Sequence, residues 1–211
     1  MAQEQDHLKT LAEIRSLMEQ SSRFLSLSGL SGIFAGIFAL AGAIVAYFYM
    51  DISFFDDRYY DMAIIDARLN VNFILFFLFD AIIVLGLALA AGFYFTYRNA
   101  RKKGYAVWTP ATRRFMGNLF IPLVTGGLFC ILLVYNHVIS LVSPVTLIFY
   151  GIALINGSKF THTDIKYLGI SEIILGLIGC IWAGYGLIIW AIGFGLLHII
   201  YGLVMYFRYE R

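Results

Sequence analysis

Charge is what this chain has least of. Asp, Glu, Lys and Arg make up 13% of its 211 residues, against roughly a quarter in soluble domains. Hydrophobic residues make up 61%, so the solvent this sequence is written for is apolar. Proline is also scarce, at 3 residues against 20 glycines, which leaves long stretches free to be helical. Cys130 and Cys180 are the two cysteines, and both fall in apolar runs. That excludes a disulfide framework or metal knuckle and suits packing. No phosphate loop or dinucleotide fingerprint occurs, so nucleotide hydrolysis has no residues to carry it. The first 23 residues carry Glu4, Asp6, Glu13 and Glu19 and no apolar stretch ending in a cleavage site, so no cleavable signal is expected there.

What is there is a series of apolar runs. About 20 residues span a bilayer as a helix, and the sequence supports six such spans, at about 24–50, 71–97, 115–135, 138–157, 165–183 and 187–207. Ser143-Pro144 either starts or kinks the fourth. Gly184-Tyr185-Gly186, between Trp182 and Trp190, marks the turn between the last two. The expected fold is an all-α, polytopic integral membrane protein, a six-helix bundle at residues 24–208 behind a cytoplasmic segment, 1–23.

Cations fix the orientation. With the N-terminus inside, Lys9, Arg15, Arg23, Arg98, Arg101, Lys102, Lys103, Arg113, Arg114, Lys159, Lys166, Arg208 and Arg211 are cytoplasmic, thirteen of fifteen; Arg58 and Arg68 are outside. The positive-inside rule then predicts both termini in the cytoplasm and an even number of spans in an inner, plasma membrane.

The polar segments are short. Leu8, Leu11, Ile14 or Ala12, and Met18 share one side of residues 8–18, as in an amphipathic helix at the cytoplasmic interface. The loop "RNARKKGYAVWTPATRR", 98–114, is basic and carries Tyr105 and Trp108, suiting contact with anionic lipid headgroups. It is too short to argue for nucleic acid. The outer segment "DISFFDDRYYDMAIIDAR" has five Asp, but Asp56-Asp57 and Asp61 lack calcium-loop spacing.

"AGIFAL" (35–40), "GGLFCI" (126–131) and "GLIGCI" (176–181) sit at similar depths, and the even spans end alike in a glycine before a basic residue. Three parallel hairpin repeats would produce that pattern. Bilayer helices associate through small residues. The first span offers Gly29, Gly32 and Gly36 with Ala39 and Ala43 along one stripe, and so reads as a central helix.

"GLSG", 29–32, has the Gly-x-Ser-Gly form of the rhomboid nucleophile, and His198 lies at a compatible depth. However, no His-x-x-x-Asn pair precedes Ser31, which stands on the first span rather than the fourth. Packing is therefore the expected role of Ser31, and no catalytic set is expected.

The last hairpin carries a better constellation. Glu172 lies on the small face of span five with Gly169, Gly176, Gly179 and Ala183; His198 lies on that of span six with Ala191, Gly195 and Gly202. Folding the two helices face to face about Tyr185 sets residue 172 opposite 198, and a Glu172–His198 hydrogen bond is expected. Embedded ionisable groups face the bundle and pair. Two readings stand: a clasp that fixes register, or a proton-titrating or ligand site. Asp80, in the outer half of span two, is a third candidate, with Asn118 or His137 as partners. His7, His137, His162 and His198 lie at different depths, so neither metal nor haem nor any other cofactor is expected; His162 reads as a loop residue.

The stretches "EIRSLMEQSSRFLSLSGLSG" (13–32) and "GFGLLHIIYG" (193–202) resemble small six-span bacterial inner-membrane proteins, a resemblance that brings no activity with it. The three-hairpin plan is similar in architecture to the HdeD-like membrane proteins associated with acid stress. The resulting expectation is a non-enzymatic membrane protein, accessory or regulatory or acting in membrane stress, with a membrane-protein partner or a second copy against its glycine faces. The alternative is a small-solute or proton-coupled transporter using Asp80, Glu172 and His198.

Overall fold

The computed structural model describes residues 24, 26–51, 58–66 and 68–211. Segment 1–23, with the expected amphipathic stretch at 8–18, and Asp56-Asp57 lie outside the described residues.

The described chain is all-α apart from one two-residue hairpin. Helix α1 is Gly29–Met50 and ends at Asp51 in the left-handed conformation, φ 49°. A connecting segment follows, with a 3-10 turn at Arg58–Ala63 and strands β1, Ile64–Ile65, and β2, Arg68–Leu69, paired antiparallel. Helix α2, Val71–Lys103, starts where the Asn70 side chain accepts from the Phe73 N–H, and stops at Gly104, φ 70°. Arg101, Lys102 and Lys103 fill its last turn, where cations favour the helix dipole.

Helix α3, Pro110–Tyr135, opens on a reciprocal cap between Thr109 and Thr112 with proline at its first position. The expected basic loop at 98–114 is thus mostly helix: only residues 104–109 connect α2 to α3, because Gly104 ends one helix and Thr109-Pro110 starts the next. Helix α4 is Val142–Ser158, with Pro144 in its first turn, where its missing N–H costs nothing. Helix α5 is Asp164–Ile181. A 3-10 turn, Ala183–Tyr185, leads into α6, Gly186–Trp190, a π-helical segment, Ala191–Leu197, and α7, His198–Tyr209.

Five of these stretches are long and apolar enough to cross a membrane: Gly29–Met50, Val71–Lys103, Pro110–Tyr135, Ile139–Ser158 and Ala183–Tyr209. These several long apolar helices are compatible with a multi-pass membrane protein. Helix α5 differs from them, carrying Asp164, Lys166 and Glu172 within 18 residues.

Packing sorts the helices into two trios. In one, α1 lies between α2 and the α7 end of the last helical run; in the other, α4 lies between α3 and α5. Glycine sets both contacts. A Cβ on Gly36 would lie 2.7 Å from Ile199 Cγ1, and one on Gly151 would lie 2.7 Å from Ile173 Cγ1. The partner in each case is a Gly-x-x-x-Ile step, Gly195 to Ile199 or Gly169 to Ile173.

The small faces expected to close the last hairpin are therefore used elsewhere. Gly169 and Gly176 pack on α4, against Gly151 and Ile148, while Gly195 and Gly202 pack on α1. Each stripe has found another small-residue helix, so α5 and the last run meet less closely than the first two hairpins do. Equivalent closure of three hairpins is not the arrangement observed.

Contacts between elements gather the basic ends together. The Phe24 N–H donates to Phe160 O at 2.6 Å, Lys103 Nζ donates to Tyr209 O at 3.1 Å, and Arg208 pairs with Asp164 at 3.0 Å. At the opposite end Met50, Ala63 and Phe73 form a core with Tyr60, Ile139 and Leu187.

Candidate functional site

Where the two trios meet, α5 contributes a carboxylate. Glu172 is 0% exposed, and neither carboxylate oxygen has a hydrogen-bond partner. Its Oε1 lies 3.4 Å from His198 Nδ1. That is ion-pair distance, but the expected hydrogen bond is not the one formed: His198 Nδ1 instead takes the carbonyl of Gly193 at 3.0 Å.

A carbonyl only accepts, so Nδ1 carries a hydrogen. The other ring nitrogen, Nε2, lies 2.8 Å from the hydroxyl of Tyr150 on α4. In the neutral ring Nε2 accepts from that hydroxyl. His198 is thus satisfied at both nitrogens, and Glu172 beside it at neither oxygen.

The π-helical segment builds this geometry. It places the Gly193 carbonyl five residues before the imidazole that uses it, and π-turns recur at functional sites. Gly193 also makes room for the acid: a Cβ there would lie 2.6 Å from Glu172 Oε2. Aromatic rings continue outward, with Phe194 5.0 Å from Tyr150, 5.9 Å from His198 and 5.1 Å from Trp190 between centroids. Trp190, Phe194 and Tyr150 are each part-exposed.

An ionised carboxylate without donors is costly in a low-dielectric interior. Neutrality there requires either a proton on the carboxyl or an imidazolium beside the carboxylate. The carboxyl can hold a proton or exchange it for another cation, while His198 can take up a further proton only at Nε2, on the Tyr150 side.

Asp80 belongs to a different interface. Its carboxylate faces Gly42 of α1, where a Cβ would lie 3.2 Å from Oδ2. The expected partners are otherwise placed: Asn118 Nδ2 donates to Arg114 O at 2.8 Å, and His137 sits in a left-handed turn, φ 62°. The Ser31 hydroxyl donates to Ser28 O, and both ring nitrogens of His198 point to other partners. His162 does lie in the α4–α5 connection, as expected, but is buried there, its ring 4.1 Å from that of Tyr209. Among the described residues no three His, Cys, Asp or Glu are grouped to hold a metal ion.

Sequence reading missed Tyr150, Gly193 and the π-helical segment. Tyr150-Gly151 repeats the Tyr201-Gly202 dipeptide, a signal for a tyrosine beside a close-packing glycine; nothing in the sequence announces the π-turn. The fold and site define a class, an all-α chain with several membrane-length helices and a buried acid–imidazole–phenol cluster. No family model, curated protein or solved structure matches the chain.

Proposed function

We propose that this is a non-enzymatic, six-span protein of a bacterial inner membrane, both termini cytoplasmic, acting as a small proton-coupled carrier through Glu172 and His198. The observation that carries this reading is a fully buried carboxylate without hydrogen-bond donors, set against an imidazole between two helix trios. Carriers place their coupling site near mid-bilayer, between moving halves and beside irregular helix.

A sixth crossing, α5, is supported by its ends. Asp164 is held by Arg208 and Tyr209 at the basic end, while at the other Ser143 donates at 2.6 Å to the carbonyl of Gly186, the first residue of α6 after the turn that follows α5. Its charges do not oppose this, since Asp164 and Lys166 lie in its first turn and Glu172 is enclosed. The gathering of Lys103, Arg208 and the α4–α5 turn at one end supports cytoplasmic termini and headgroup contact by residues 98–114.

The test is a pH step applied to proteoliposomes on a solid-supported membrane. Wild type should give a transient current as the buried site protonates, and folded Glu172→Gln should give none. Identical traces would refute the proposal.

An accessory role is favoured by a different observation: α2 and α3 leave most of their apolar length uncovered, with 11% and 17% buried. A stoichiometric partner or second copy, seen by mass spectrometry of protein released from nanodiscs, would shift the assignment there.

A further inference from the structure

Resting on the carrier reading, we propose the substrate class: Glu172 is the counter-ion for a small apolar organic monocation, a quaternary ammonium or aryl amine, bound in exchange for the proton.

The ligand must be a cation, because the unpartnered group is a carboxylate enclosed at 0% exposure. A metal ion is a poor fit. Hard cations take six or more oxygen ligands, and here one carboxylate and the Tyr150 hydroxyl face each other across an imidazole. Gly193, Leu147 and Leu175 border one carboxylate oxygen, and an aromatic run approaches from the His198 side. Trp190, Phe194, Tyr150 and His198 form an unbroken ladder, with neighbouring ring centroids 5.0 to 5.9 Å apart. Aromatic faces attract organic cations through the ring quadrupole, most strongly where water is excluded. The ladder begins at part-exposed Trp190 and ends at the acid, so an apolar cation arriving from the lipid meets ring faces before the carboxylate.

Exchange follows from neutrality. At rest the Glu172–His198 pair holds one proton; when the cation binds, that proton leaves and the carboxylate balances the new charge. The titratable groups facing Glu172 are His198 from α7 and Tyr150 from α4, with Tyr201 nearby through Ser171, 3.4 Å from its hydroxyl. Proton and ligand compete for one carboxylate, so acid should weaken binding by about tenfold per pH unit once protonation dominates.

The experiment uses the full chain in detergent with benzyltrimethylammonium, a permanent cation that brings no proton, and neutral neopentylbenzene of the same shape. Binding is read by Trp fluorescence and by proton release into weak buffer. Wild type should bind the cation, release one proton per cation bound, and bind the neutral analogue at least about tenfold more weakly. Folded Glu172→Gln should lose cation binding, while Phe194→Leu should weaken it about fivefold.

Equal binding of the two probes, or cation binding without proton release, would overturn the proposal in wild type alone, whether or not the variants fold. No cation binding in a protein that still gives the protonation current would overturn the substrate class and leave the carrier reading standing. Loss of the current would strike at the carrier reading itself.

Discussion

Glu210 caps α1. Its carboxylate accepts from Ser28 Oγ at 2.9 Å and from the Gly29 N–H, closing the helix start from the far end of the sequence. Ser28, the capping position, makes no side-chain bond to its own helix, so the acid supplied by the last turn does that work. A carboxylate at a helix N-terminus satisfies orphan N–H groups and meets the positive end of the dipole. Glu210→Ala should therefore cost about 1–2 kcal/mol, read from reversible unfolding in mixed micelles, with Glu210→Gln retaining part of it. A change below about 0.3 kcal/mol in both variants would show that the contact carries no stability.

The trio contacts make a second prediction. A Cβ at Gly202 would lie 2.6 Å from Ile33 N and 2.7 Å from Gly29 O, backbone atoms that cannot swing aside. Gly202→Ala should destabilise by about 1–3 kcal/mol, as overpacking does. Gly86 and Gly92 on α2 have nothing within 4 Å, so Gly86→Ala should be neutral or stabilising by a few tenths to about 1 kcal/mol through helix propensity. Equal effects at the two positions would refute the close-contact account.

The ion pair that joins the trios at the basic end should matter little for its charge. Arg208 is 64% exposed in its side chain and Asp164 10%, and pairs open to solvent contribute about 0–1 kcal/mol. Asp164 also accepts from the Tyr209 hydroxyl at 2.7 Å. Arg208→Ala should cost less than Asp164→Ala, which strands that hydroxyl as well. Unfolding in mixed micelles gives the order, and the reverse order would contradict the geometry.

The helices were legible in the sequence because apolar length is a local property: α1, α2 and α3 follow from their own residues. Helix partners were not legible. The glycines of α5 and α7 signal close packing without naming the helix they meet, and Gly151 on α4 competes with the last helix for Gly169. Residues 172 and 198 come within 3.4 Å through a route the spacing did not contain, the meeting of two trios rather than a glycine-faced hairpin. Asp80 illustrates the same limit, since its place in an apolar helix was readable but its neighbour Gly42 was not. The Glu210 cap joins residues 181 positions apart, a separation no periodicity encodes.

The buried acid leads to the last prediction. Glu172 gains no hydrogen bond in exchange for leaving water, and an unsatisfied buried polar group costs about 1–3 kcal/mol. Replacing it with an apolar residue of similar length removes that cost and fills the same space beside Leu147 and Leu175, which share the Gly193 contact. Glu172→Met should thus raise stability by about 1–3 kcal/mol while abolishing the protonation current. Gly193→Ala, which drives a methyl towards Oε2, should lower stability and disturb the current with the acid still present. A stability gain joined to loss of function marks a group kept for what it does rather than for folding. If Glu172→Met instead destabilised the protein, the carboxylate would be acting as a structural clasp to His198, and its role would lie in fixing the register between the trios.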